Sequence, residues 1–219
     1  MLARILEPEV MEDREEAVEY DAMDHSAVNR QFVLDLIAAG PIGTDCLDLG
    51  TGTALIPVEL CAQNKSVRVM ASDASSMMLD VARYNLEANS LMARVQLHLG
   101  DAKKLVFEDN YFDTVISNSL VHHLPSHESF LSEVMRVVRT GGLVFIRDLV
   151  RPDTLEDVET LVAKHAANES EHSKQMLRQS LIASLRLDEI QALAVDAGLD
   201  HDCVRLTSDR HWTLCARKA

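Results

Sequence analysis

The feature that most constrains this sequence is a regular alternation of short apolar runs with helical runs. DCLDLG, VRVMASD, RVQLHL, YFDTVISN and GLVFIRDL each combine apolar and β-branched residues over the length of a strand. Helical periodicity fills most of the intervals between them, at about 53–63, 75–89 and 127–139. Strands separated by helical runs of roughly ten to fifteen residues predict βαβ units, which build a parallel sheet with helices on both faces.

The C-terminal third carries a different pattern. Residues 153–197 have helical periodicity, with breaks predicted near Asn168 and Arg186, and two strand-like pieces follow, DHDCVRLTS and HWTLCAR. The polar turn 208–210 leaves these pieces close enough to pair as an antiparallel hairpin at one edge of the sheet. We predict one α/β domain over residues 1–219, with a helical insertion at 153–185 ahead of the hairpin.

The net charge of the chain argues against some classes of binding partner. The 219 residues include 21 Lys and Arg against 35 Asp and Glu, a formal charge of −14, which opposes attraction to nucleic-acid phosphates or to anionic lipid. Nine of the acids and two of the bases fall within residues 1–24. We therefore predict neither a nucleic-acid nor a membrane partner, and we interpret residues 1–28 as an acidic N-terminal arm that is solvated or loosely docked.

Two further observations predict a cytoplasmic location. No stretch approaches the roughly 20 apolar residues that a membrane-spanning helix needs, and the N-terminus shows no secretory leader. The four cysteines, at 46, 61, 203 and 215, form no C-x-x-C pair and lie among apolar residues. We interpret them as reduced core residues; a disulfide between Cys203 and Cys215 is the alternative.

The strongest local signal is the segment CLDLGTGTALIPVEL, residues 46–60. An apolar strand leads into a Gly-Thr-Gly turn and a helix begins directly, so that Gly50 and Gly52 permit a sharp turn and a close approach of a ligand. A dinucleotide fingerprint G-x-G-x-x-G needs a third glycine where this chain has Leu55. Asp48 would also face the pyrophosphate of a dinucleotide, whereas its negative charge suits a cationic ligand.

Two more acids follow successive strands. Asp73 ends VRVMASD, where a carboxylate can accept two hydrogen bonds from ribose hydroxyls, and Asp101 follows RVQLHL, where it can accept from an adenine amino group. Because the carboxyl ends of parallel strands meet at one edge, we expect both acids to share a crevice with Asp48. A sulfonium or α-amino group beside Asp48, with ribose beside Asp73, describes S-adenosylmethionine.

The sequence resembles the class I S-adenosylmethionine-dependent methyltransferases of small-molecule type in four segments taken in order: DLGTGTA, SDASSMML, GDAKKLVFEDNYFDTVISNSLVHHL and FLSEVMRVVRTGGLVFIRDL. These segments span residues 46–148. The resemblance implies a Rossmann-like, doubly wound sheet of seven strands that ends in an antiparallel hairpin. It also implies S-adenosyl-L-methionine as cofactor and S-adenosyl-L-homocysteine as product.

The same resemblance implies cofactor contacts residue by residue. The implied set comprises Asp48, Gly50, Gly52 and Thr53 at the methionine end, Asp73 with its neighbour Ala74 at the ribose, Met78, Asp101 and Ala102 at the adenine, Asn118 beneath the sulfonium, and Tyr20 as a covering residue from the arm. Ordinary core packing is the alternative for Met78. We expect the arm to order over the bound cofactor, with Tyr20 facing the pocket.

The remaining polar residues supply candidates for the acceptor side. Imidazole titrates near neutral pH, so His122 or His123, after the fourth predicted strand, is a candidate general base. The alternative is that one histidine packs under the loop while the other faces solvent. Arg147 and Arg151 are candidates to hold a carboxylate or phosphate of the acceptor, with surface salt bridges as the alternative.

These patterns predict methyl transfer from S-adenosylmethionine to a small-molecule acceptor. No metal site is predicted, since His165, Glu169 and His172 share a helical spacing that we interpret as a solvated face. Two alternatives stay open. One is a regulatory protein that binds S-adenosylmethionine without transfer activity, and the other is a nucleotide-cofactor oxidoreductase, which Leu55 and Asp48 disfavour.

Overall fold

The computed structural model describes residues 2–7 and 13–219. Its strands are β1 (Asp45–Leu49), β2 (Arg68–Asp73), β3 (Val95–Leu99), β4 (Phe112–Asn118), β5 (Val138–Leu149), β6 (Val204–Leu206) and β7 (His211–Arg217). They form one sheet in the order β3-β2-β1-β4-β5-β7-β6. The first five strands of that order are parallel, and β7 runs antiparallel to both β5 and β6. The predicted doubly wound, seven-stranded sheet with an antiparallel C-terminal hairpin is confirmed.

The helices are α1 (Arg14–Ala22), α2 (Ser26–Ala38), α3 (Leu55–Gln63), α4 (Ser76–Ala88), α5 (His127–Val137), α6 (Leu155–His165), α7 (Glu171–Ala183) and α8 (Leu187–Asp196). A short 3₁₀ turn, Val121–His123, lies between β4 and α5. Helix α3 begins two residues later than predicted. The cause is the backbone of Gly50, Gly52 and Ala54, whose φ angles of 69°, 55° and 62° hold the turn in the left-handed region.

Helices cover both faces of the sheet because strand residues point alternately to opposite sides. Cys46 packs in the apolar cluster on the α2–α4 side, with Phe32 and Leu60, whereas the next residue, Leu47, packs in the cluster on the α5 and α8 side. Seven consecutive residues of β5, 143–149, are buried. The first four of them, 143–146, form a continuous apolar run because the sheet is covered on both faces.

The insertion between β5 and β6 is helical, as predicted, and the two predicted breaks separate α6, α7 and α8. Leu149, Val158, Val162 and Leu181 form an apolar cluster of their own within it, against which Leu2 also packs. The break after α6 also separates His165 from His172, so these residues do not share a helical face. His165 instead lies 3.0 Å from a carboxylate oxygen of Asp209.

The described part of the N-terminal arm contacts the body of the domain, which corresponds to the docked alternative rather than to a solvated arm. The backbone N–H of Leu2 donates to the carbonyl of Asp153 at 2.8 Å. The guanidinium of Arg4 donates to the carbonyls of Ala183 at 2.6 Å and of His122 at 3.1 Å. Farther along the arm, α1 packs against α4 with Ala17 fully buried. Residues 1 and 8–12 of the arm lie outside the described residues.

Two remaining sequence-based expectations concern the cysteines and membrane spans. All four cysteines are free: Cys46 and Cys61 are buried, and Cys203 and Cys215 are half-buried. Over residues 2–7 and 13–219, the helices are all too short or too polar to cross a bilayer. The free thiols agree with the reduced interpretation rather than with a disulfide between Cys203 and Cys215.

Candidate functional site

The strand ends that carry the predicted acids lie side by side at one edge of the sheet. Leu49 is paired in register with Ser72 of β2 and with Ser117 of β4, and Asp73 is paired with Leu99 of β3. Asn118, at the end of β4, is paired with Arg147 of β5. The structure therefore brings the ends of β1, β2 and β3 together, as the sequence analysis predicted, with the end of β4 on the other side of β1.

The turn after β1 is anchored by β2. The backbone N–H groups of Gly50 and Thr51 both donate to the carbonyl of Ser72, at 2.9 and 3.0 Å. A Cβ on Gly50 would lie 2.9 Å from the Leu120 side chain, in the loop after β4. Glycine is thus required at position 50 for its positive φ and for the close approach of Leu120. Sequence reasoning did not identify Ser72 as part of the site.

The carboxylate of Asp73 joins the turn to the end of β2. One of its oxygens accepts from the backbone N–H of Gly52 at 2.8 Å, and the other accepts from that of Ser75 at 2.8 Å. Burial raises the pKa of Asp73. The hydrogen bonds favour the charged form and lower the pKa, but the effect of burial is larger. The backbone N–H of Ala74 also bonds to this carboxylate, and hydrogen bonds from ligand hydroxyls to Asp73 stay a prediction.

The carboxyl group of Asp48 is buried beneath the same turn. Its residue is 2% exposed, and one oxygen accepts from the Thr51 hydroxyl at 2.6 Å. Burial raises the pKa of Asp48 to about 7, and the nearby charge of Asp73 adds to that shift. A cation placed beside Asp48 would favour the ionised form, so the carboxyl group suits a positively charged ligand.

Tyr20 reaches the turn from α1. Its ring comes within 4.0 Å of the position that a Cβ on Gly52 would occupy. Burial raises the pKa of the Tyr20 hydroxyl, and the charges of Asp73 and Asp21 contribute. Asn85 of α4 fixes this part of the arm, since its amide donates to Asp21 at 2.8 Å and to the carbonyl of Thr53 at 3.0 Å. Sequence reasoning missed Asn85, which carries no local signal.

The residues implied for the adenine end differ in exposure. Met78 and Ala102 are buried, while Ala74 and Asp101 are exposed. The carboxylate of Asp101 is paired with the Lys103 ammonium at 2.9 Å. The contacts of these residues with an adenine ring stay predictions.

The two histidines after β4 lie against acids from distant parts of the chain. His122 is 3% exposed, and its Nδ1 lies 2.6 Å from a carboxylate oxygen of the fully buried Asp148, while its Nε2 lies 3.2 Å from Oε1 of Glu7. His123 Nδ1 lies 3.4 Å from the same Glu7 oxygen. Burial alone would lower the pKa of His122, but the charges and hydrogen bonds of Asp148 and Glu7 outweigh it and raise the pKa to about 9.

This arrangement gives His122 a charge-paired position, which does not favour a base, because a protonated ring has no free lone pair. The base role of His122 or His123 stays a prediction. Glu7 escaped the sequence analysis because it lies more than a hundred residues from the histidines.

The structure does not bring Arg147 and Arg151 together. Arg147 packs over the rings of Phe32 and Phe145, on the α2 side of the sheet, and its guanidinium pairs with Asp35 at 2.7 Å. Arg151 pairs with Glu189 of α8 at 2.6 Å. Both arginines are buried rather than on the surface. Their predicted contact with an acceptor is therefore not a single cationic pocket, and each guanidinium already holds an acid of the fold.

Comparison with known proteins agrees with this geometry. A family profile described as a methyltransferase domain matches residues 47–146. The methyltransferase GfsG of Streptomyces halstedii is 31% identical over 163 residues, which cover 72% of this chain and 53% of GfsG. The demethylmenaquinone methyltransferase of Desulfitobacterium hafniense (strain Y51) is 32% identical over 124 residues, covering 56% of this chain and 49% of that protein. The chain spans about half the length of these curated relatives.

Solved structures show the same fold. A crystal structure of an S-adenosylmethionine-dependent methyltransferase from Aquifex aeolicus matches with a TM-score of 0.70 and 18% identity, over 95% of this chain and 100% of that one. The phosphoethanolamine N-methyltransferase 2 of Haemonchus contortus, in complex with S-adenosyl-L-methionine, matches with a TM-score of 0.59 and 26% identity, over 77% of this chain and 36% of that one.

The sheet order and the turn between β1 and α3 define a Rossmann-like α/β protein of the class I methyltransferase type. The family profile, the curated relatives and the solved structures confirm the resemblance to the class I S-adenosylmethionine-dependent methyltransferases that was found in the sequence. S-adenosylmethionine is the cofactor of this family.

Proposed function

We propose that this protein transfers the methyl group of S-adenosylmethionine to a small-molecule acceptor by in-line displacement. S-adenosylmethionine supplies an electrophilic methyl group: an electron pair of the acceptor forms the new bond to the methyl carbon while the carbon–sulfur bond breaks and its electrons stay on sulfur. The protein contributes binding, alignment and exclusion of water.

The observation that carries this proposal is the pairing of two different carboxyl groups around one glycine turn. Asp48 is buried under the turn, where its negative charge complements a cationic group. Asp73 is oriented by the N–H groups of Gly52 and Ser75, and so presents its oxygens to a diol. A buried acid beside a cradle of glycines fits the amino-acid end of S-adenosylmethionine, and it does not fit a pyrophosphate.

The arm supplies the cover for this site. Tyr20 lies above Gly52, and Asn85 connects Asp21 to the turn through Thr53. We propose that Tyr20 excludes water from the ligand bound between the turn and Asp73. An aromatic side chain with few rotatable bonds does this at a low cost in conformational entropy.

We propose a small metabolite as acceptor. Among the relatives, two names state small-molecule chemistry: the demethylmenaquinone methyltransferase and the phosphoethanolamine N-methyltransferase. The net charge of −14 supports a metabolite over a nucleic acid. The four free cysteines support an action in the reducing cytoplasm.

The test combines cofactor binding with product detection. The protein is incubated with methyl-labelled S-adenosylmethionine and a metabolite extract, and mass spectrometry identifies labelled products and S-adenosylhomocysteine. An Asp73→Ala variant should lose the labelled product. Asp80→Ala is the matched control, since Asp80 is an exposed acid of the neighbouring helix α4, and it should keep full activity.

Two outcomes would contradict the proposal. Tight binding of S-adenosylmethionine without a labelled product from any extract would instead support a regulatory protein. Tighter binding of NAD than of S-adenosylmethionine or S-adenosylhomocysteine would support an oxidoreductase and would overturn the assignment of Asp48.

A further inference from the structure

Three side chains outside the cofactor turn converge on one point beside the loop after β4. Their ligand atoms are Glu7 Oε1, His122 Nε2 and His123 Nδ1, all within 4.8 Å of one another. Among residues 2–7 and 13–219, this is the one group of three His, Cys, Asp or Glu side chains that meets the spacing of a metal site.

Two distances within the group match the edges of a coordination tetrahedron. Glu7 Oε1 lies 3.2 Å from His122 Nε2 and 3.4 Å from His123 Nδ1. Around Zn²⁺, with bonds of about 2.0–2.1 Å, two ligand atoms at the tetrahedral angle lie about 3.3–3.4 Å apart. Two of the three edges therefore have the length that a tetrahedral ion needs, and the third, between the two histidine nitrogens, is at most 4.8 Å.

Hydrogen bonding around the group orients the ligands as metal sites require. The Nδ1 of His122 lies 2.6 Å from the buried carboxylate of Asp148, so that an N–H at Nδ1 leaves the Nε2 lone pair directed at Glu7. In the metal-free protein a proton lies between Nε2 and Glu7, and a bound ion would take the place of that proton. A carboxylate behind a ligating histidine is the usual outer partner of a metal site. The Ser180 hydroxyl donates to Glu7 Oε1 at 3.1 Å and so holds the carboxylate in place.

Charge and access also suit a divalent ion. Glu7 and Asp148 supply two negative charges beside the two imidazoles. The side chain of His123 is 33% exposed, which leaves a route for an ion and a free coordination position on its side. Arg4 lies close by, but its guanidinium is directed at the carbonyls of Ala183, His122 and Leu124.

We propose that Glu7, His122 and His123 bind a divalent transition-metal ion of the zinc class. Two imidazoles and one carboxylate select zinc-class ions over Mg²⁺ or Ca²⁺, which prefer oxygen ligands throughout. The ion would link residue 7 to the 3₁₀ turn Val121–His123 and so fasten the N-terminal segment 2–7 beside the acceptor side of the sheet. In this role the two histidines are ligands, not general bases.

Metal binding by the full-length protein, without a polyhistidine tag and without cofactor, tests this proposal apart from methyl transfer. Zn²⁺ affinity is measured by competition with a chromophoric chelator, and Co²⁺ serves as a spectroscopic probe of the ligand set. We expect one equivalent of Zn²⁺ per chain, unaffected by millimolar Mg²⁺. Glu7→Gln and His123→Ala should each weaken Zn²⁺ binding at least tenfold, while His172→Ala, which removes an exposed imidazole of α7, should leave it unchanged.

Two further measurements test the proposed metal site even if one of the ligand variants folds poorly. In the wild-type protein, Zn²⁺ at about 100 times its dissociation constant should raise Tm by about 5 °C and slow hydrogen exchange in residues 2–7. Asp148→Asn should weaken binding about 10- to 100-fold, as expected for an outer partner. Absence of Zn²⁺ binding at about ten micromolar, or equal binding by wild type and either ligand variant, would overturn the proposal and leave a proton between His122 and Glu7.

Discussion

The backbone N–H of Gly52 donates to the carboxylate of Asp73 at 2.8 Å, across the gap between the first turn and the second strand. The same carboxylate accepts from the N–H of Ser75 through its other oxygen. Asp73 therefore closes the glycine turn, and in the proposed function it also presents acceptors to the ligand. A ligand that engages Asp73 is bound by a group whose orientation the fold has already set.

Replacement of Asp73 tests this double role. Asp73→Ala should weaken S-adenosylhomocysteine binding tenfold or more, because two charge-assisted hydrogen bonds at roughly 1.5–3 kcal/mol each are lost. It should also lower the free energy of unfolding by about 1–3 kcal/mol, since the N–H groups of Gly52 and Ser75 lose their acceptor. Calorimetry and urea titration measure the two effects, with Asp80→Ala as the control. An unchanged dissociation constant would remove Asp73 from the site.

The raised pKa of Asp48 predicts a pH-dependent cofactor affinity. Its pKa is about 7 in the folded protein against an ordinary value of 3.8. Without ligand, protonation of Asp48 stabilises the folded state relative to the unfolded state. This stabilisation is fully present below pH 3.8 and is lost as the pH rises through about 7. A cationic ligand favours the ionised carboxylate, so binding releases the proton. Affinity for S-adenosylmethionine should therefore rise with pH, by up to about tenfold per pH unit below 7, and then level off.

Calorimetry between about pH 5.5 and 7.5, in buffers of different ionisation enthalpy, measures both the affinity and the proton release that accompanies binding. Asp48→Asn is the control, because it keeps the shape of the side chain and removes the titration. It should bind more weakly, with a flatter pH profile. A wild-type profile equal to that of Asp48→Asn would show that Asp48 does not face the positive charge.

Alanine substitutions at Gly50 and Gly141 can be compared to test the close packing of the glycine turn. Both have a positive φ, 69° and 75°, but a Cβ on Gly50 would lie 2.9 Å from Leu120, whereas a Cβ on Gly141 would meet no atom within 4 Å. Gly141→Ala should cost only backbone strain, about 1 kcal/mol. Gly50→Ala should cost a further 1–3 kcal/mol or so from overpacking and should reduce cofactor binding. Urea denaturation compares the two variants, and adding Leu120→Ala to Gly50→Ala should restore part of the loss.

The position of Tyr20 on the arm predicts that bound cofactor protects the backbone amides of residues 13–25 from hydrogen exchange. If Tyr20 covers the ligand, S-adenosylhomocysteine should slow hydrogen exchange in this segment, and Tyr20→Ala should abolish the effect and weaken binding. Tyr84→Ala is the control, since Tyr84 is 71% exposed on α4. Identical exchange with and without ligand would assign the arm a purely structural docking role.

Replacement of Arg151 can distinguish a structural role of this residue from a role in binding the acceptor. Arg151→Ala should lower the free energy of unfolding by about 2 kcal/mol, because Glu189 and the carbonyl of Ser184 lose their buried donor. Once the acceptor is identified, its KM in this variant decides the second role. A raised KM with unchanged cofactor affinity supports the predicted acceptor contact, and an unchanged KM leaves Arg151 to the fold alone.

Local sequence signals were sufficient to predict the architecture and to place two acids at one edge of the sheet. Apolar periodicity identified the strands and helices because each pattern is set by residues that are neighbours in sequence. The acids Asp48 and Asp73 could be placed at one edge because parallel strands present their carboxyl ends together. The family profile and the sheet order agree with that prediction.

Contacts between distant segments could not be derived in this way. The side chain of Arg147 faces α2, while that of the next residue, Asp148, faces His122, because consecutive strand residues point to opposite faces. Alternation predicts that these two side chains diverge, but it does not say which one faces which layer. That choice depends on how the helices pack on the finished sheet.

What the sequence by itself determined is the βαβ order, the glycine turn and the acids beside it, since periodicity and turn chemistry are local properties of the chain. What only the tertiary structure decided is the interaction partner of each polar group: Asn85 contacts Asp21, Asp148 contacts His122, and Glu7 contacts both histidines. A charged or polar side chain needs a partner once it leaves water, and the partner is whichever group folding places there. For His122, one partner, Glu7, comes from the N-terminal segment, more than a hundred residues away in the sequence.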